Sequence, residues 1–217
     1  MPSLAIIFDM DGVLADTERI HAAAECEVLK NHGIAFNADD LSKQYAGMPE
    51  SAIWPAVFSA QKKPMPPIES LMNEKFEVFK NMVKSGIPPM PGAQDLIKLL
   101  KINGIPIGVA SSAEPQYIEL VLTELRLKHL FNAITASAEV MHGKPAPDIF
   151  LKAASKLGVD PQHCIVIEDA RSGTLAAKAA GMKCIGLQYP GNNQDLSAAT
   201  KIVVSLKEID QSMLENL

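Results

Sequence analysis

The pattern along the chain begins with an unbroken apolar run, Leu4-Ala5-Ile6-Ile7-Phe8, that stops at Asp9-Met10-Asp11-Gly12. A run this short, apolar at consecutive positions, predicts a strand buried on both faces and therefore a parallel sheet. Four similar runs follow at 105–110, 133–136, 164–167 and 183–187, and 202–204 offers a sixth. Between them the period becomes helical. Ala93, Leu96, Ile97 and Leu100 stand at i, i+3, i+4 and i+7, with Asn103-Gly104 as the stop, and Ile118, Val121, Leu122 and Leu125 do the same. Pro147 fits the first position of a helix carrying Ile149, Phe150, Ala153, Ala154 and Leu157, closed by Gly158. Residues 171–180 predict an Ala-rich helix ending at Gly181. Strands alternating with helices of this length predict βαβ units in an open α/β sheet.

The first strand departs from this alternation. No comparable run lies between Phe8 and Ile105; the stretch instead predicts helices at 20–31, 39–46, 50–60 and 68–84. Ser85-Gly86-Ile87-Pro88-Pro89-Met90-Pro91-Gly92 then forms a connector rich in Pro and Gly. We therefore expect a helical cap at 17–85 inserted into an α/β core of residues 1–16 and 86–217.

Composition narrows the picture. With 217 residues, 47% of them hydrophobic, the chain can bury roughly 70% of its unfolded surface and needs no disulfide or metal staple. A formal net charge of −5 argues against nucleic acid as the main partner. The early apolar run is too short for an export signal or a membrane span. The three cysteines, Cys26, Cys164 and Cys184, show neither a disulfide framework nor zinc-ligand spacing. The expected compartment is the cytoplasm, with no membrane partner, and the expected state is a monomer or weak dimer.

Open α/β sheets bind ligands at the carboxyl ends of their strands. There the sequence sets Asp9 and Asp11 after the first strand, Ser111 and Ser112 after the second, Gly143-Lys144-Pro145 after the third, and Glu168 and Asp169 after the fourth. Four acids can share one edge only if a cation neutralises them or some stay protonated. Oxygen ligands without a Cys or His cluster favour a hard ion, Mg²⁺ being the usual choice. A metal beside a lysine, hydroxyls and backbone N–H groups suits a phosphoryl group. One Asp can then attack phosphorus while another carries protons to and from the leaving oxygen. Each motif alone has an ordinary reading. Asp-x-Asp-Gly is a common turn, the serines could cap a helix before Pro115, Lys144 could be a solvated loop residue, and Glu168-Asp169 could cap the next helix. Val13 excludes a calcium loop of the EF-hand type. Phosphate-loop, dinucleotide-binding, zinc-protease and serine-hydrolase motifs are absent from the sequence.

Taken together, the four motifs resemble those of the haloacid dehalogenase superfamily. Asp9-Met10-Asp11-Gly12-Val13-Leu14-Ala15-Asp16-Thr17-Glu18 resembles its first motif, Val109-Ala110-Ser111-Ser112 its second, Gly143-Lys144-Pro145-Ala146-Pro147-Asp148 its third, and Ile167-Glu168-Asp169-Ala170-Arg171-Ser172-Gly173 its fourth. The resemblance spans the chain and implies a Rossmann-like parallel sheet. It is nearest to the subgroup with a helical cap, which includes β-phosphoglucomutase and small-metabolite phosphatases. It implies Asp9 as nucleophile and metal ligand, and Asp11 as general acid/base with its carbonyl on the metal. It further implies Ser111, Lys144 and the Met10 backbone N–H on the phosphoryl oxygens, with Ser112 beside them. Asp169 would ligate Mg²⁺, with Glu168 either on the metal or behind it. Dehalogenating members attack carbon and need no acid at the position of Asp11, so Asp11 points to phosphorus chemistry.

Cap residues speak to the substrate. Thr17 and His21 match positions that the resemblance ties to acid/base control and substrate contact, and His21 and Glu25 stand at i, i+4. In Tyr45-Ala46-Gly47-Met48-Pro49-Glu50-Ser51 the mutase's phosphate-gripping arginine is missing, and no Arg or Lys lies between Gly47 and Gln61. Lys75 could supply a cation from another cap helix. Glu25 replaces the tryptophan of the mutase pattern. These departures favour a Mg²⁺-dependent phosphatase of a small phosphorylated metabolite over a phosphohexomutase, and a non-catalytic binding module is disfavoured because every catalytic position is filled. Lys144-Pro145 is the bond to inspect for a cis isomer.

Overall fold

The computed structural model describes residues 4–45, 48 and 50–217. Ala46, Gly47 and Pro49, within the predicted cap loop and the end of the predicted helix at 39–46, lie outside the described residues. The chain divides into two compact units, Met1–Asp16 with Ile87–Leu217, and Thr17–Gly86.

The first unit holds a six-stranded parallel sheet. After β1 (Ala5–Phe8), the second unit contributes α1 (Glu18–Asn31), α2 (Ala38–Gln44), α3 (Glu50–Ala60) and α4 (Ile68–Val83). The first unit resumes with α5 (Ala93–Ile102), β2 (Ile107–Ser111), α6 (Pro115–Glu124), β3 (Ala133–Ala136) and α7 (Asp148–Leu157). It closes with β4 (Cys164–Glu168), α8 (Arg171–Ala179), β5 (Lys183–Leu187), β6 (Lys201–Val203) and α9 (Gln211–Glu215). The strand order is β3-β2-β1-β4-β5-β6. β1 is central, Ile6 pairing with Ile107 on one side and Ile165 on the other, and all four of its residues are buried. Two covered faces explain why its run is apolar without alternation. On one face α7 and α8 pack Ile149, Phe150, Ala153, Ala176 and Ala177 against Ile7 and Val166.

Element edges shift by a residue or two. The predicted strand at 105–110 starts at Ile107, because Ile105 N–H donates to Leu100 O and Pro106 has no N–H to give the ladder. The final strand lies at 201–203 rather than 202–204. Pro147 caps α7 instead of occupying its first turn; its carbonyl accepts from Phe150 and Leu151 N–H. Gly158 closes that helix in the left-handed conformation, φ 68°.

The Thr17–Gly86 unit has its own core, with Val28, Leu29, Trp54, Phe58 and Leu71 fully buried. α1 packs along α4. Their seam is polar at one end: Lys75 Nζ, 1% exposed, meets Glu25 Oε1 at 2.9 Å, and one turn away His21 stacks on Phe79 with ring centroids 4.4 Å apart. The partner that the sequence leaves open for Lys75 is thus the glutamate standing where the mutase pattern has tryptophan. Among the described residues no helix is long and apolar enough to cross a membrane.

Candidate active site

The strand order reverses direction between β1 and β4, and a parallel sheet opens a crevice at such a point. Asp9 leaves β1 there, its N–H donating to Ile167 O at 2.9 Å, so its backbone is still held by the sheet. The chain then folds back sharply. Met10 O accepts from Val13, Leu14 and Ala15 N–H, and Gly12 turns at φ 77°. A β-carbon on Gly12 would stand 2.1 Å from Asp169 Oδ2, so this loop can meet the end of β4 only with glycine there. Met10 buries its side chain, while Asp11, two residues beyond Asp9, is half-buried.

Lys144, 135 positions from Asp9 in the chain, places its ammonium between two carboxylates. Nζ donates to Asp9 Oδ1 at 2.5 Å, to Glu168 Oε1 at 2.8 Å and to Ala110 O at 3.3 Å. It also lies 4.9 Å from the centroid of the Phe150 ring. The Lys144-Pro145 peptide is cis. Glu168, almost wholly buried, has both oxygens engaged: Oε2 accepts from Ala170 N–H at 2.7 Å. That bond serves the cap of α8, whose N-cap residue is Ala170. Asp169 accepts at Oδ2 from the Tyr189 hydroxyl at 3.2 Å, and its backbone carbonyl accepts from Asn192 Nδ2 at 2.8 Å.

Asp9, Glu168 and Asp169 each contribute a carboxylate oxygen to a group lying within 4.8 Å of one another. Oxygen donors alone, in a buried acidic cluster, fit a hard divalent cation. Burial, with Glu168 and Asp11 adding repulsion, outweighs the attraction of Lys144 and pushes Asp9 from 3.8 up to about 7. Burial would lower Lys144, but Asp9 and Glu168 outweigh it and hold the ammonium well above its ordinary value.

Ser111, at the end of β2, is buried and its Oγ accepts from Ala113 N–H at 3.1 Å, which leaves its own proton as the group on offer. It does not cap α6, whose N-cap residue is Glu114. Ser112 is exposed. Thr17 and His21 lie in the other unit. Thr17, fully buried, is the N-cap residue of α1 with its carbonyl accepting from His21 N–H at 2.9 Å, and His21 is half-buried against Phe79.

Tyr189 and Asn192 are absent from the sequence reading, although they follow β5 immediately. The signal was available: a fifth apolar run ending at Leu187 puts the next residues on the same sheet edge as the other four strand ends. Gly173 belongs with them: a β-carbon on it would stand 1.6 Å from Glu168 Oε1.

A family model described as haloacid dehalogenase-like hydrolase matches residues 6–187. Fructose-1-phosphate phosphatase YqaB of Escherichia coli K12 is 36% identical over 185 residues, 84% of this chain and 95% of that protein. CbbY from Rhodobacter sphaeroides, solved in complex with phosphate, superposes with a TM-score of 0.87 at 28% identity, covering 98% of this chain and 99% of its own. β-Phosphoglucomutase from Clostridium difficile gives a TM-score of 0.81 at 27% identity, covering 98% and 95%.

Proposed function

The chain belongs to the haloacid dehalogenase-like hydrolases and is a phosphoric monoester hydrolase, and on that footing we propose that it is a Mg²⁺-dependent phosphatase of a small phosphorylated metabolite, a sugar phosphate or similar monoester, working through an aspartyl phosphate on Asp9. The observation that carries the reading is the trio of Asp9, Glu168 and Asp169 oxygens within 4.8 Å, with the Lys144 ammonium bonded to two of the three residues.

In this reading an Asp9 carboxylate oxygen attacks phosphorus and the bond from phosphorus to the ester oxygen breaks. Asp11, as the acid, gives its proton to the departing alkoxide. Asp11, now the base, takes a proton from water as that water attacks the phosphorus of the acyl phosphate, which releases inorganic phosphate and restores Asp9. Lys144 donates to Asp9 Oδ1, and its charge answers the growing charge on the phosphoryl oxygens. Ser111 contributes its hydroxyl proton, and Ser112 and the Met10 N–H complete the phosphoryl cradle. Bound Mg²⁺, held by Asp9, Asp169 and the Asp11 carbonyl, with Glu168 on the metal or behind it, would neutralise the acids and polarise the phosphoryl group. Glu168, with one oxygen on Lys144 and the other on the Ala170 N–H, is engaged enough to serve chiefly as the holder of Lys144.

We assign substrate selection to the Thr17–Gly86 unit, which carries Thr17 and His21. Lys75 is already neutralised by Glu25, so that cation is not spare for a second phosphate. That supports a monophosphate hydrolase over the phosphohexomutase that the likeness to β-phosphoglucomutase raises as the second reading. The free cysteines fit a reducing compartment, and we assign the enzyme to the cytoplasm. The test is a screen of sugar phosphates and related monoesters with Mg²⁺, reading released phosphate. Release from a monophosphate supports the proposal. Conversion of glucose 1-phosphate to glucose 6-phosphate, dependent on a bisphosphate activator, would replace it with the mutase, and no turnover at all would leave a binding module.

A further inference from the structure

We propose that Tyr189 is a positioning residue for the cation site, holding the Asp169 carboxylate in the orientation that binds metal; the inference rests on the metal reading given above. Asp169 is gripped from three directions. The Tyr189 hydroxyl donates to Oδ2 at 3.2 Å, and Asn192 Nδ2 donates to the Asp169 main-chain carbonyl at 2.8 Å. On the third side Gly12 presents a bare α-carbon, where any β-carbon would stand 2.1 Å from the same Oδ2.

The grip is anchored. Asn192 Nδ2 also reaches Leu187 O at 3.1 Å, and Gln194 N–H donates to Asn192 Oδ1 at 2.9 Å, so the loop after β5 is tied at once to its own strand and to Asp169. The last link back to the sheet is Gln188 N–H, which donates to Val203 O at 2.8 Å. A carboxylate on a loop end can rotate about its last torsion, and in a site of three acids each rotation changes how many oxygens a cation meets. A hydroxyl donor on one oxygen removes that freedom and takes up part of that oxygen's charge. Partners of this kind, one step behind the ligands, typically change metal affinity or activity by 10–100-fold when removed. The residue type matters: phenylalanine would fill the same space without the donor.

The test uses the full chain, stripped of metal with a chelator and titrated calorimetrically with MgCl₂ in the absence of substrate. Tyr189→Phe is expected to raise the Mg²⁺ dissociation constant about tenfold. Its melting temperature in chelator stays near that of the natural chain. With p-nitrophenyl phosphate the Mg²⁺ concentration giving half the maximal rate rises by the same factor, and the maximal rate falls less. Unchanged Mg²⁺ affinity in Tyr189→Phe overturns the inference. So does a fall in maximal rate and melting temperature with the Mg²⁺ requirement untouched, which is what a purely structural role would produce. Should Tyr189→Phe fail to fold, Asn192→Ala carries the test: weakened Mg²⁺ binding supports the clasp and wild-type binding overturns it. Because the titration contains no substrate, an inactive protein that binds Mg²⁺ would sink the phosphatase reading while still deciding this one. A natural chain that binds no Mg²⁺ overturns both.

Discussion

The α-carbon of Gly173 lies against the carboxylate of Glu168, so close that a β-carbon there would stand 1.6 Å from Oε1 and 1.9 Å from Cδ. Gly173 is in the first turn of α8, and Glu168 reaches over that turn to hold Lys144. Gly173→Ala must therefore push Glu168 aside and loosen the ammonium from Asp9. A displacement on the order of 1 Å in such a group costs roughly 10²-fold in turnover. We expect kcat of Gly173→Ala to fall by about that factor, measured by phosphate release. Turnover close to wild type would show that Glu168 does not hold the lysine in place.

Lys144→Met removes the positive charge from between two carboxylates whose side chains are 11% and 1% exposed. Leaving a buried charge without its partner destabilises by about 3–5 kcal/mol. The variant is expected to melt lower than the natural chain in chelator, to recover more of that loss on adding MgCl₂, and to lose about 10²–10³-fold in kcat. Calorimetry with and without Mg²⁺ checks the first two. Equal Mg²⁺ stabilisation of both proteins would contradict the shared electrostatics of lysine and cation.

The raised Asp9 carboxyl gives a pH signature. Its value rises from 3.8 to about 7, chiefly through burial. The protonated form is thus the one the metal-free fold prefers. That contribution to stability is complete below 3.8 and is lost as pH climbs through about 7. A cation needs the ionised form and must displace the proton. MgCl₂ should therefore raise the melting temperature little near about pH 5 and clearly more near about pH 8. Asp9→Asn should flatten this difference. A Mg²⁺ effect independent of pH in the natural chain would count against the Asp9 assignment.

In the Thr17–Gly86 unit, Glu25→Gln takes the carboxylate charge away from the Lys75 ammonium, which is 1% exposed. Removing one partner of such a pair destabilises by about 3–5 kcal/mol, whereas replacing both by apolar residues is often neutral. Glu25→Gln should lower the melting temperature, and Glu25→Leu combined with Lys75→Met should restore most of it. A double variant no more stable than the single one would mean that the pair does more than satisfy itself.

The parallel sheet was legible because β1, β4 and β5 are covered on both faces and so carry consecutive apolar residues, a pattern that survives without any neighbour being known. Strand edges were less so: whether Ile105 joins β2 depends on its N–H going to Leu100 O, a contact that periodicity does not encode. At the site, Asp9, Lys144, Glu168 and Asp169 were legible because successive strands of a parallel sheet deliver their ends to one edge. The meeting of Lys75 with Glu25 was not, since it depends on the rotation of α4 against α1. The partners of Asp169 fell between these cases. Tyr189 and Asn192 follow a strand that the sequence does reveal, but an aromatic and an amide in a loop have no charge to draw attention.

The account turns on Asp9 becoming phosphorylated. The most direct measurement mixes the Mg²⁺-loaded enzyme with a sugar monophosphate carrying labelled phosphorus, stops the reaction with acid within one turnover, and maps the label by mass spectrometry of peptides. The expected result is label on the peptide containing Asp9, released by hydroxylamine as an acyl phosphate is, and absent from Asp9→Asn. Turnover by the natural chain with no labelled Asp9 at any time, together with full turnover by Asp9→Asn, would contradict it.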